Sequence, residues 1–151
     1  MCGRSVKKNG GQAEQALGRS RGGFSTKIHI SVDALGNPLR IRLTGGQAHD
    51  ITEAENLIDA LVFERLIADR GYDADPFRAK IVEYGAEAVI PGRSNRREPI
   101  AYDKHLYKER HLVECFINKI KHYRRIFSRY DKLASRYLGF LSFVSALIWL
   151  K

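Results

Sequence analysis

The order of amphipathic patterns predicts one α/β domain with helices at its C-terminal end. Three observations carry this. Two alternating runs flank a turn in the first third of the chain, short apolar runs alternate with helical periods in the middle, and a long apolar helical stretch closes the chain. The length, 151 residues, suits a single domain. With 44% hydrophobic and 28% charged residues, the composition is that of an ordinary globular protein and excludes wholesale disorder.

Taken in order, residues 1–23 are rich in Gly, Ser, Gln and basic residues without a sustained period, and read as a basic arm or linker. Residues 24–33, FSTKIHISVD, alternate, with Ile28, Ile30 and Val32 on one face, so they predict a strand. The turn Gly36-Asn37-Pro38 leads to a second alternating run with Leu39, Ile41 and Leu43, which together make a β-hairpin. Asp50 followed by Glu53 is a capping-box spacing, and Ala54, Leu57, Ile58 and Leu61 continue a helical period. FERLIAD predicts a buried strand ending at Asp69. Pro76 then suits a helix start, with Phe77, Ile81 and Val82 inward and Gly85 as the stop. AEAVIPG is a further short strand. Residues 104–130 carry one long helical pattern, and residues 133–150 a second, apolar helix.

Charge is the unusual property. The chain has 26 basic and 17 acidic residues, a net of +9. Residues 1–27 carry a net +5, residues 28–92 a net −5, and residues 93–150 a net +8. An acidic middle between basic flanks suits a metal enzyme acting on phosphates, or a basic binding protein with an acidic solvated face. The two cysteines, Cys2 and Cys115, form neither a disulfide framework nor a zinc motif, which fits a reducing compartment. The longest apolar stretch, residues 137–150, is shorter than the roughly 20 residues a spanning helix needs, and the N-terminus lacks a secretory apolar run. No membrane partner is expected.

Two acidic positions stand out. Asp69 closes a strand, where α/β sheets place ligands, although Asp before Gly also forms turns. Tyr107, Arg110, Glu114 and Lys121 are spaced by 3, 4 and 7 residues and fall within about 60° on one helical stripe. Leu112, Phe116, Ile120, Tyr123 and Phe127 form a separate apolar stripe. By periodicity the charged stripe is equally a solvated face with a routine Arg110–Glu114 pair.

The pattern Y-x2-R-x3-E-x6-K at these four positions resembles the signature of bacterial insertion-sequence transposases of the DDE type. Asp69-Arg70-Gly71-Tyr72 is similar to their D-x-G-Y/F segment, and the resemblance covers roughly residues 12–151. It implies an RNase H-like catalytic core over residues 24–151, in which carboxylates hold two Mg²⁺ (or Mn²⁺) ions for cleavage and joining of DNA. Asp69 is then the second catalytic and metal-binding carboxylate and Glu114 the third. Tyr107, Arg110 and Lys121 are carried over as positioning residues and, with Arg125 of the basic C-terminal region, are the expected DNA contacts. The implied setting is a bacterial cytoplasmic, nucleoid-associated protein acting on double-stranded insertion-sequence ends and target.

One departure matters. The family's first Asp lies on a first strand before the Gly-rich segment, and no Asp precedes Gly11 here. Asp33 reads as a turn former and Asp50 as a helix cap. The expectation is a core lacking its first strand, either the downstream product of two overlapping frames or a truncated relic, with little strand transfer by the chain alone. An upstream transposase segment and another copy of the chain are the expected protein partners. The competing reading is a non-catalytic nucleic-acid-binding module built on Arg124, Arg125, Arg129, Lys132 and Arg136 and their interleaved aromatics.

Overall fold

The computed structural model of the chain describes Gly11 and residues 14–150, so most of the expected basic arm, with Cys2, lies outside the described residues. Among the described residues, five strands and five α-helices follow in a mixed α/β order. Gly18–Ser20 (β1), within the stretch read as an arm, pairs with the start of Gly23–Val32 (β2). The rest of β2 pairs antiparallel with Pro38–Gly45 (β3), as the alternation requires, with an irregularity at Ser31/Val32. Asp33 makes the connecting turn, its Oδ1 accepting from the N–H groups of Leu35 and Asn37 at 2.8 Å each. Burial pushes the Asp33 carboxyl up, but these hydrogen bonds outweigh it and hold the pKa below the usual range.

A 3-10 turn, Asp50–Glu53, enters the short helix Ala54–Ile58 (α1). Arg65–Ile67 (β4) and Glu87–Val89 (β5) form a separate parallel pair, joined through Asp75–Glu83 (α2). Gly85 stops α2 at φ +73°, a conformation that costs little only without a Cβ. Val82, expected inward, is exposed, because Phe77 and Ile81 already fill the α2 interface.

The long helix expected over residues 104–130 is three pieces. These are a 3-10 turn Leu106–Arg110, the helix His111–Lys121 (α3) and the single turn Arg124–Phe127 (α4). The break at Tyr123, whose backbone is extended, shifts the helical phase. Ile126 therefore enters the core and Phe127 is left 71% exposed. The last helix, Ala134–Trp149 (α5), matches its apolar pattern.

Two hydrophobic clusters share no buried residue. One joins Ala54, Ile58, Phe77, Ile81 and Ile90, with Leu66 and Ala68 of β4 packed against it. The other joins Phe116, Ile120, Leu141 and Val144, with Ile28, Ile30 and Val32 of β2 packed against it. Ser31 points to the opposite face of β2, where its hydroxyl donates to the Leu57 carbonyl at 3.1 Å. Thus α1 covers one face of the hairpin, and α3 and α5 cover the other. β4, expected to be buried, is only half-buried, because one of its edges faces a cavity instead of a strand.

Candidate active site

The cavity, about 530 Å³, lies between β2 and β4. It brings together residues far apart in the chain, with Asp50, Asp69, Arg110 and Glu114 all in its lining. Of the six positions singled out from sequence, Asp69, Glu114 and Arg110 therefore meet at one place. Tyr107, Lys121 and Arg125 do not line it.

Asp69 follows β4 and N-caps the 3-10 turn Arg70–Tyr72, its Oδ1 accepting the Gly71 N–H at 2.7 Å. Gly71 must be small. A Cβ there would lie 2.8 Å from Asp69 Oδ1 and 3.1 Å from Asp50 Oδ2, so the absent methyl lets the two carboxylates approach one space. Asp50 is not the cap it reads as: His49 holds the cap position, and Asp50 is the first residue of the 3-10 turn. It pairs instead with Lys27 Nζ at 3.1 Å and lies 3.9 Å from the ring of the buried His29. The His29 ring nitrogen Nε2 is within 2.7 Å of the Thr44 hydroxyl. Burial lowers the His29 pKa despite the carboxylates of Asp50 and Glu53. Burial also drives the Tyr72 phenol far upward, aided by Asp50 and Asp69.

Glu114 stands in the first turn of α3 and is paired with the Arg110 guanidinium. Arg110 lies 5.9 Å over the Tyr107 ring, which itself meets Tyr102 edge-on at 5.4 Å. Burial lowers the Arg110 pKa, and the bond to Glu114 more than restores it. Lys121 is exposed at the C-terminal end of α3. Arg125, expected to face DNA, makes a two-pronged pair with Asp131 at 2.9 and 2.7 Å and lies 4.8 Å over Phe140. Arg129 is likewise committed inward, donating to the carbonyls of Ala16 at 3.0 Å and Gln15 at 2.6 Å.

Sequence reasoning passed over Asp73. Its side chain is fully buried and accepts from Arg78 Nε at 2.8 Å, Arg96 Nε at 2.8 Å and the Arg93 N–H at 2.7 Å. Arg93 reaches back to the Gly71 carbonyl at 3.1 Å. The basic loop over residues 93–99 is thereby tied to the turn that carries Asp69. The available signal was the pairing of a turn carboxylate with an Arg-rich loop, which a linear reading does not join.

A divalent cation fits this donor set in kind, since carboxylate oxygens are the hard ligands such ions prefer. It falls short in number: among the described residues no three His, Cys, Asp or Glu side chains converge to hold a metal. Among the same residues no helix is long and apolar enough to cross a membrane.

A family model described as the transposase DDE domain matches residues 4–149. A protein of Brucella ovis named as a transposase for insertion sequence element IS6501 is 43% identical over 130 residues, 85% of this chain and all of that protein. One of Burkholderia cepacia, named for insertion sequence element IS402, is 33% identical over 135 residues, 82% of this chain. The chain spans only 62% of that second relative's length. No solved structure matches the chain. The carboxylates gathered beside a free strand edge thus belong to a chain that is a member of the transposase DDE domain family.

Proposed function

We propose that Asp69 and Glu114 are the second and third carboxylates of an RNase H-like DDE site that cleaves and joins DNA at insertion-sequence ends. The observation that carries the reading is their presence, from elements 45 residues apart, in the lining of one cavity. In this reading Asp69 and Glu114 hold divalent cations, Mg²⁺ or Mn²⁺, two in the complete site. Such ions, when bound, stabilise the attacking and leaving oxygens of a phosphodiester. The Gly71 N–H fixes the Asp69 carboxylate, and Tyr107 orients Arg110, which holds Glu114 until a cation competes for it. Lys121, about 10.5 Å further along the α3 helix than Glu114, grips DNA phosphate beside the site. Double-stranded DNA and an upstream transposase segment are the proposed partners. The purely binding alternative loses ground, because Arg125 and Arg129 are engaged within the chain.

The test separates binding from chemistry. Lys121→Ala should weaken duplex binding for all sequences and reduce the log–log salt slope by about one. Glu114→Gln should leave that slope unchanged while abolishing Mg²⁺-dependent cleavage by a protein that supplies the first carboxylate. Cleavage that survives Glu114→Gln would overturn the proposal, as would robust cleavage by the 151-residue chain alone.

A further inference from the structure

The basic loop over residues 93–99 has no role in the catalytic reading, and its arginines divide by what they meet. Arg96 gives its charge to Asp73 and Asp75. Arg93 is exposed, and among the described residues no carboxylate pairs with its guanidinium. That group meets main-chain carbonyls instead. Nη2 lies 3.1 Å from the Gly71 oxygen, and Nε, at the long end of bonding range, lies 3.5 Å from the Arg70 oxygen.

These contacts make Arg93 part of a closed ring of bonds. The Asp73 carboxylate takes the Arg93 N–H at 2.7 Å, and the Asp73 N–H returns to the Arg70 carbonyl at 3.3 Å. Asp73 is in turn locked by Arg78 at 2.8 Å. The start of the loop is thereby fixed to the turn after Asp69, and Arg93 has less rotamer freedom to lose on binding than a lone surface arginine.

The Arg70–Gly71 peptide joins this arginine to the carboxylates. Its C=O points toward Arg93, and its N–H donates to Asp69 Oδ1 at 2.7 Å. A trans peptide directs those two groups oppositely. The guanidinium and the Asp69 carboxylate therefore lie on either side of one peptide unit, at most about 9 Å apart. That is the scale of the step from one phosphate to the next along a nucleic acid strand. Every guanidinium nitrogen carries donors. Nε and Nη2 point to the carbonyls, which leaves the Nη1 end for a ligand. A braced, permanently charged fork of this kind matches the oxygens of a phosphodiester.

We propose that Arg93 binds the DNA phosphate next to the one at Asp69 and Glu114, and so sets where the strand lies along the two carboxylates. The proposal rests on the catalytic reading for the identity of the anion.

The test uses the 151-residue chain and a short fluorescent DNA duplex of mixed sequence, with binding followed across a range of KCl concentrations. Arg93→Gln keeps a donor for the Gly71 carbonyl and removes the charge, so it should reduce the log–log salt slope by about one. Arg93→Lys keeps the charge and should restore the slope. A residue that only braced the loop would give one slope for all three proteins. If Arg93→Gln fails to fold, the Arg93 Nε–H resonance of the unmodified ¹⁵N-labelled chain decides. It should shift, together with the Gly71 N–H, at the first additions of duplex. An unchanged slope for Arg93→Gln, or an Arg93 resonance that the duplex leaves in place, overturns the proposal. The catalytic reading then stands, since neither Asp69 nor Glu114 has been altered. A slope lowered equally by both variants also overturns it, because distortion of the loop and not charge would be the cause. A slope that Arg93→Lys restores, combined with cleavage that survives Glu114→Gln, supports the phosphate contact and sinks the catalytic reading instead.

Discussion

Replacing Asp73 by Asn should be among the most damaging conservative changes in this chain. The carboxylate is fully buried and pairs with two guanidinium groups, Arg78 and Arg96 each at 2.8 Å. Asn keeps the shape and one acceptor oxygen, but it turns an N–H₂ group toward a guanidinium and leaves the half-buried Arg78 without a carboxylate, while Arg96 keeps Asp75. Arg78 retains its bond to the Ile90 carbonyl at 2.7 Å, which limits collapse of the α2 contact. Removing one partner of a buried, hydrogen-bonded ion pair costs about 3–5 kcal/mol. For a domain of this size, each kcal/mol moves Tm by about 2–4 °C, so the melting point should fall by roughly 6–20 °C. Urea denaturation and thermal melting followed by circular dichroism measure both numbers. Arg65→Ala is the control, because the exposed Arg65–Glu87 pair at 3.3 Å should be worth under about 1 kcal/mol. A loss below about 1 kcal/mol for Asp73→Asn would refute the claim that this carboxylate anchors the basic loop to the Asp69 turn.

The same residue predicts a pH dependence. Burial alone would push the Asp73 carboxyl up, but the hydrogen bonds from Arg96, Arg93 and Arg78 hold it far below its ordinary value. A carboxyl with a depressed folded pKa contributes stability above its unfolded pKa of about 3.9, and that stability is lost as pH falls toward the folded value. Urea midpoints should therefore drop between pH 5 and pH 2.5 by more in the unmodified chain than in Asp73→Asn. Gly71→Ala forces a methyl against the Asp69 and Asp50 carboxylates, and should cost about 1–3 kcal/mol as those side chains shift. Its effect on any activity should exceed its effect on stability, which comparing the two in one preparation would reveal. Ala60 sits exposed at φ +53°, so Ala60→Gly should relieve strain and raise stability by about 1 kcal/mol in urea; an unchanged or lower midpoint would count against that strain.

Much of the fold was legible because local signals agreed with the tertiary result. The β2–β3 hairpin follows from strict alternation around an Asp-anchored turn, and α5 from an apolar run too long for a strand. The break at Tyr123 was not legible, since it has neither Gly nor Pro to mark it, and the exposed Phe127 followed from that missed shift in phase. Asp69 was singled out by its place at a strand end, and Arg110 and Glu114 by the motif they resemble; all three line one cavity. The partners of Arg125 and Arg129 were not legible, because a run of basic residues does not say which of them already has a carboxylate or carbonyl within reach. The division into two sheets depends on which edges pair. That is a property of distant segments, and no single stretch of sequence encodes it.

The central claim is that Asp69 and Glu114 form the metal-holding corner of the transposase site. Mn²⁺ titration of the isotopically labelled 151-residue chain, read as paramagnetic broadening of amide resonances, tests it most directly. The account predicts that residues 69–71 and the first turn of α3 around Glu114 broaden first, and that Asp69→Asn abolishes the effect at both places. Broadening centred elsewhere, or unchanged by Asp69→Asn, would contradict it.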